Sequence, residues 1–156
     1  MMVKPGYFVE EIHVKSATAN GSGDGRSYAS SIACATNTNV WPIPAGTIIQ
    51  NCYMILDVAV TGSTNIDVGD DDDADGFIDS SLSVTLATPA IYGNNAKVAG
   101  AYLRVETAGG TDAADIFVVP TSKYYAAAGK EVKMAVTGTW TAGSFRIVLE
   151  GLYLLS

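Results

Sequence analysis

The carboxylates with the clearest potential for chemistry are crowded into one short segment between Gly69 and Asp79. Counted from Asp71, this segment has aspartates at the first, third and fifth positions and glycine at the sixth, as calcium-binding loops do. The match ends at the twelfth position, where Leu82 replaces the bidentate glutamate that completes such a site. The candidate metal ligands are Asp71, Asp73 and Asp75.

Two interpretations of this segment stay open. It is either a solvated acidic hairpin loop, built from residues that tolerate tight turns, or a weak site for a divalent cation that would hold the loop. No cofactor other than Ca²⁺ is expected, because no other group of residues has the spacing of a metal or nucleotide site.

The sequence contains no arrangement of residues that is typical of a catalytic site. His13 is the sole histidine, and Ser-His-Asp or Cys-His chemistry would need it beside a nucleophile, yet no serine or cysteine has the context of a nucleophile elbow. The carboxylates crowd one loop tip instead of facing each other across a cleft, as glycoside hydrolysis requires. The glycine-rich segment 21–26 lacks the Lys-Ser/Thr of a phosphate loop. We therefore expect no enzymatic activity and no catalytic residues.

Composition narrows the class of protein further. The chain has 156 residues, of which 48% are hydrophobic and only 16% charged, with a formal net charge of -7. No Lys or Arg occurs between Arg26 and Lys97, so the clustered cations that bind nucleic acid are absent from that stretch, and elsewhere the bases are scattered. Lys4 comes before any apolar run long enough for the core of a signal peptide. No later apolar stretch approaches the roughly 20 residues that a membrane-spanning helix needs. We expect a soluble protein made in the cytosol, with no nucleic-acid or membrane partner.

The two cysteines, Cys34 and Cys52, have neither close spacing nor neighbouring histidines, so a zinc site is not indicated. Two buried thiols and a disulfide are both compatible with the sequence, since free cysteine behaves as a small hydrophobic residue.

The dominant pattern is an alternation of apolar and polar residues, interrupted by Gly, Asn, Asp and Thr, which is typical of antiparallel strands. The strongest predicted strand is Ile48 to Val60, with Ile48, Cys52, Met54, Leu56, Val58 and Val60 on one face. A second apolar alternation, 132–149, predicts a hairpin that turns at Ala142-Gly143. Weaker strands are predicted at 7–15, 27–35, 65–68, 80–86, 101–106 and 115–119, and segment 122–129 is either a short helix or a loop.

These elements predict an all-β protein of one domain. Many short strands with scattered glycines favour a β-sandwich of jelly-roll type with about eight or nine antiparallel strands, with a closed barrel as the alternative. Trp41, which precedes Pro42-Ile43-Pro44, is expected to anchor a corner of the chain by packing in the core. Five other aromatic residues have two possible roles: they pack in the core or between subunits, or they form a surface on which sugars stack. They are Trp140, Tyr102, Tyr124, Tyr125 and Tyr153.

Four segments together resemble the small β-rich structural proteins of tailed bacteriophages that are encoded among head genes. They are Pro44-Ala45-Gly46-Thr47-Ile48, the stretch from Asp67 to Ile78, Tyr124-Tyr125-Ala126-Ala127-Ala128-Gly129-Lys130-Glu131-Val132, and Val136-Thr137-Gly138-Thr139 before Ala142-Gly143. The resemblance is one of pattern and extends from about Pro44 to Leu152.

The resemblance implies a capsid decoration or cement protein, found in the virion after synthesis in the host cytoplasm. It further implies contacts with the major capsid protein or another virion protein, and assembly as a homotrimer. The body would comprise residues 40–156. Residues 1–39 would form an amino-terminal arm and first strands that pack on the body or extend from it, and that could clasp a neighbour by strand addition. Two other functions stay open: a head-fibre or tail-associated receptor-binding protein, and a calcium-dependent carbohydrate-binding domain.

Overall fold

The computed structural model of the protein describes residues 6–16, 32–34, 37–79, 90–92, 102–108 and 116–154. Within these ranges the chain forms strands and turns without any helix, which confirms the predicted all-β class, and no helix there could cross a membrane. In chain order the strands are β1 (Gly6–Ser16), β2 (Ile32–Cys34), β3 (Asn37–Ile43), β4 (Thr47–Gly69), β5 (Ala90–Tyr92), β6 (Arg104–Ala108), β7 (Ile116–Pro120), β8 (Lys123–Tyr125) and β9 (Lys130–Tyr153).

Two long antiparallel strands, β4 and β9, form a ribbon at the centre of the fold. They pair from Thr47 opposite Tyr153 to Gly69 opposite Lys133. Register shifts interrupt this pairing, and most of them fall between positions 56 and 65 of β4. A β-bulge bends a strand and increases its twist, so these shifts place a corner in the middle of the ribbon.

Contacts between the two ends of the ribbon demonstrate that it folds back on itself. Phe8 in β1 lies opposite Gly151, whereas Trp41 in β3 lies opposite Val132. A straight strand between positions 132 and 151 would be roughly 60 Å long. The Phe8 and Trp41 rings are nevertheless stacked with their centroids 5.8 Å apart. The two halves of the ribbon therefore face each other as layers of a β-sandwich-like fold.

Glycines at the corner allow the bend. Gly62 in β4 and both Gly138 and Gly143 in β9 have positive φ angles, which residues with a β-carbon rarely adopt. A β-carbon at Gly143 would also lie 2.6 Å from the carbonyl oxygen of Ala59. Only glycine therefore fits where β9 crosses closely over β4.

The remaining strands extend the two layers. β1 and β3 pair with the carboxyl-terminal and amino-terminal halves of β9, respectively, while β8 and β5 pair with β4. β2 adds a short parallel pairing to the end of β1. β6 and β7 form a separate two-stranded antiparallel sheet. Among the described residues neither sheet closes on itself, so the barrel alternative does not describe this fold.

One hydrophobic core lies between the layers. The alternation predicted in segments 132–136 and 145–149 is confirmed, because Val132, Met134 and Val136 are buried, as are Phe145, Ile147 and Leu149. The side chain of Trp140, predicted on the same face as Val136, lies outside the described residues. Burial of these side chains against β1, β3 and β4 removes apolar surface from water, which is the main favourable term in folding. Trp41 packs against this core, as expected for a corner anchor.

The predicted hairpin at Ala142-Gly143 is wrong. β9 continues through both residues, since each half of it pairs with a different half of β4. The glycine that signals a turn in the sequence forms a corner within one strand instead. For the same reason the strands predicted at 48–60 and 65–68 are parts of the single strand β4.

The predicted inward position of Ile48 is also wrong. An irregularity between Ile49 and Asn51 shifts the alternation by one residue, so Ile49 is fully buried and Ile48 is directed to the outer face. Cys52, Met54, Leu56 and Val60 are buried as predicted, whereas Val58, which has a register shift on each side, is only partly buried.

Other predicted elements have mixed outcomes. Segment 122–129 contains β8 and an exposed turn in place of a helix. The strands predicted at 101–106 and 115–119 overlap β6 and β7. Segment 80–86 lies outside the described residues, as does most of 27–35.

Candidate functional site

The acidic segment forms a turn directly after β4, and Asp70 is its centre. The Asp70 side chain is buried, with only 2% of the residue exposed. Its Oδ1 accepts hydrogen bonds from the backbone N–H groups of Asp72 (2.8 Å) and Asp73 (3.1 Å) and from the Tyr102 hydroxyl (2.8 Å). Its Oδ2 accepts a hydrogen bond of 2.6 Å from the Tyr125 hydroxyl. Four donors thus compensate the burial of this carboxylate.

The backbone of the turn fits this arrangement closely. The Asp70 N–H donates to the carbonyl oxygen of Asp73 (2.8 Å), and Val68 exchanges backbone hydrogen bonds with Ile78 on the far side of the turn. A β-carbon at Gly69 would lie 2.0 Å from the Asp73 carbonyl oxygen. The glycine is therefore required by the close approach of the two backbone segments.

Hydrogen bonding decides the ionisation of Asp70. Burial by itself raises the pKa of this carboxyl, but the hydrogen bonds from Tyr125, Tyr102 and the two backbone N–H groups outweigh it and lower the pKa below its usual value. Burial, followed by the hydrogen bond to Asp70 and its negative charge, raises the pKa of Tyr102 and of Tyr125. Asp70 is therefore ionised and both phenols stay protonated as donors at neutral pH.

The network joins distant parts of the chain. Tyr125 lies in β8 opposite Thr47, the first residue of β4, whereas Asp70 follows the last residue of the same strand. Tyr102 lies at the base of the β6–β7 sheet, and its N–H donates to the carbonyl oxygen of Gly76 (2.8 Å). Asp70 thus connects both ends of the folded ribbon with the smaller sheet.

Cations surround the outer side of the turn. Lys130 Nζ lies 2.6 Å from Asp72 Oδ1, and Lys133 forms an ion pair with Asp71. The Lys123 ammonium lies 3.8 Å from the centroid of the Tyr102 ring, a cation–π contact. Since these groups are partly exposed, each pair contributes little stability by itself.

The turn separates the three candidate metal ligands into a pair and a single residue. Asp73 and Asp75 are neighbours: the hydrogen bond between their side chains, then burial, then the charges of Asp73 and Asp79 raise the pKa of Asp75 to about 6. Asp71 faces Lys133 instead. Within the described ranges no three His, Cys, Asp or Glu residues are grouped to hold a metal ion. Asp70, which the sequence did not single out, has the most buried carboxylate of the turn.

The other residues considered for chemistry are placed apart from this turn. His13 Nε2 lies 3.0 Å from Glu11 Oε1 on the outer face of β1. Arg146 joins Glu11 to Asp57 on the same face. Cys52 is a buried free thiol, and burial raises its pKa. The side chain of Cys34 lies outside the described residues.

The outer face of the layer that contains β1 carries an apolar row that the sequence did not predict. Tyr7, Leu152, Ile48 and Tyr124 are cross-strand neighbours on β1, β9, β4 and β8. Tyr7 is 63% exposed and Tyr124 is 52% exposed. The shifted alternation at Ile49 is what brings Ile48 into this row, so a strict period of two could not reveal it.

Comparison of the chain with models of protein families, with characterised proteins and with solved structures found no match.

Proposed function

We propose that this chain is a non-enzymatic structural protein of a tailed bacteriophage, which binds the outside of the capsid and stabilises it through protein–protein contacts. The observation that carries the proposal is the use of the acidic turn. Its most buried carboxylate is occupied by four hydrogen-bond donors that fasten the fold, and two of its other carboxylates face lysines. The carboxylates best suited to chemistry thus stabilise the folded body of the protein.

The outer surface is consistent with a role in assembly. Four apolar side chains lie together in a row on the face of the main sheet, and contiguous apolar surface on a soluble protein marks an interaction site more often than chance. The sequence pattern between Pro44 and Leu152 supplies the phage assignment. We also propose a jelly-roll order of strands. β4 and β9 each bend through a corner and pass from one layer to the other, as strands of packed β-sheets do where they switch sheets.

The test uses the particles produced from the genome that encodes this chain. Heads assembled without the gene are incubated with purified protein, sedimented, and heated while DNA release is followed by dye fluorescence. The proposal predicts saturable binding to heads and a higher temperature of DNA release. Binding confined to tails or fibres would favour the receptor-binding alternative, and no binding to any particle would refute both.

A specific observation also favours a carbohydrate-binding function. Tyr7 and Tyr124 are more than half exposed on one face, and exposed aromatic rings are the groups on which sugars stack. A glycan panel probed with wild-type protein and with Tyr124→Ala tests this function. Sugar binding that the substitution abolishes would support it, and an additional loss with a chelator would show that a bound cation contributes.

A further inference from the structure

We propose that the apolar row of the outer face is the contact between two copies of this chain, related by a two-fold axis. The row comprises Tyr7, Leu152, Ile48 and Tyr124, and Val9 and Leu154 extend it on the same face. This inference goes beyond the proposed function: it assigns the row to a second copy, so that contacts with the capsid would use another part of the surface, and it replaces the homotrimer that the resemblance implies with a dimer. It concerns the purified protein alone.

The distribution of charge on the face favours a second copy as the occupant. One end of the face carries the apolar row, with Glu150 beside it opposite Val9 and hydrogen-bonded to Asn51 (2.9 Å), whereas the other end carries the linked charges of Glu11, Arg146 and Asp57. A two-fold axis that runs along the row places the two rows against each other and sends the charged ends in opposite directions. The charges of the far end then keep their contact with water, which matters because each copy has a net charge of -7.

The available area suits a weak but specific dimer. Val9 is 52% exposed and Leu154 is 39% exposed, in addition to the two tyrosines, while Ile48 and Leu152 are partly exposed. With side-chain areas of about 150–250 Å² for aromatic residues and less for aliphatic ones, each copy offers roughly 500 Å². Two copies together bury about 1,000 Å², the lower limit for a specific interface. An interface at this limit favours a weak, reversible dimer over a permanent one.

Sedimentation velocity on the full chain, over about 1 to 500 μM protein, tests the inference. The wild-type mass should rise from 16.2 kDa toward twice that value. Tyr7→Lys and Tyr124→Lys should each weaken dimerisation by about tenfold or more, because each replaces a large exposed ring of the row with a charge that the contact would bury. Glu11→Gln is the matched control, since it changes net charge by the same amount on the same face but outside the row. It should leave the dissociation constant unchanged.

Both lysine variants change exposed side chains, and urea unfolding verifies that they remain folded. A monomer at every concentration would overturn the inference. A dimer that survives both lysine substitutions would overturn it too, as would a trimer, since a three-fold ring joins two different patches. Each of these results leaves binding to phage heads as a separate question.

Discussion

Replacing Tyr125 with phenylalanine removes one donor from the buried Asp70 carboxylate and leaves the ring in place. The lost hydrogen bond is 2.6 Å long, and both residues are at least 95% buried. A hydrogen bond to a charged group contributes about 1.5–3 kcal/mol, and three donors to Asp70 remain. We therefore expect Tyr125→Phe to lower the free energy of unfolding by about 2 kcal/mol, or the Tm by about 4–8 °C.

Urea unfolding at pH 7 measures this loss as a lower midpoint with an unchanged slope. Tyr124→Phe is the matched control, because the neighbouring hydroxyl belongs to an exposed side chain on the opposite face, and it should change stability by less than about 0.5 kcal/mol. In an Asp70→Ala background the Tyr125→Phe effect should shrink, which a double-mutant cycle reports as coupling. Equal losses for Tyr125→Phe and Tyr124→Phe, or an undiminished loss without Asp70, would refute the reasoning.

The pH dependence of this effect has a definite sign. Hydrogen bonds lower the pKa of Asp70 in the folded protein, so its contribution to stability is present above the pKa of an unfolded aspartate, about 3.9. The contribution is lost as the pH falls through the folded-state pKa. The difference between wild type and Tyr125→Phe should therefore be constant near neutral pH and decrease in strong acid.

Three further predictions concern other residues. Asp75→Asn should stabilise the protein at pH 8 by about 1 kcal/mol after allowance for solvent screening, because contact with Asp73 raises the folded-state pKa of Asp75 to about 6 and disfavours its ionised form. In urea unfolding at a series of pH values, this gain should vanish as the pH falls toward about 4. A gain that does not depend on pH would contradict the prediction. The Cys52 thiol should resist alkylation in native protein and react only in denaturant, as peptide mass spectrometry can establish, since it is fully buried. Gly143→Val should cost about 3 kcal/mol or more in urea unfolding, because φ is positive and a β-carbon would meet the Ala59 carbonyl oxygen; a neutral substitution would exclude the tight corner.

Local periodicity was sufficient to predict much of the fold. The alternation in segments 132–136 and 145–149 identified buried residues correctly, because a strand with one face against a core imposes a period of two on the sequence. The corner could not be predicted in the same way. Gly143 permits either a hairpin turn or a bend, and only the pairing of both halves of β9 with β4 determines which forms.

The site was harder to predict than the strands. The acidic segment was identified, but its spacing directed attention to Asp71, Asp73 and Asp75. Asp70 became central through Tyr102 and Tyr125, which are distant from it in sequence. The folding back of the ribbon brings Tyr125 to it, and the hydrogen bond from the Tyr102 N–H to Gly76 holds Tyr102 beside the turn. The apolar row depends likewise on the irregularity after Ile49 and on pairing across four strands.

The folded-back ribbon is the claim on which the rest depends, since the Asp70 network and the two-layer body both follow from it. Nuclear Overhauser effects between the ring protons of Phe8 and Trp41 test it most directly in the unmodified protein. The ring centroids are 5.8 Å apart, so strong cross-peaks are expected between these rings, in addition to those between Phe8 and Tyr153, whose centroids are 4.5 Å apart. Cross-peaks from Phe8 to Tyr153 without any to Trp41 would contradict the account, because they would place β1 and β3 at separate ends of an extended ribbon.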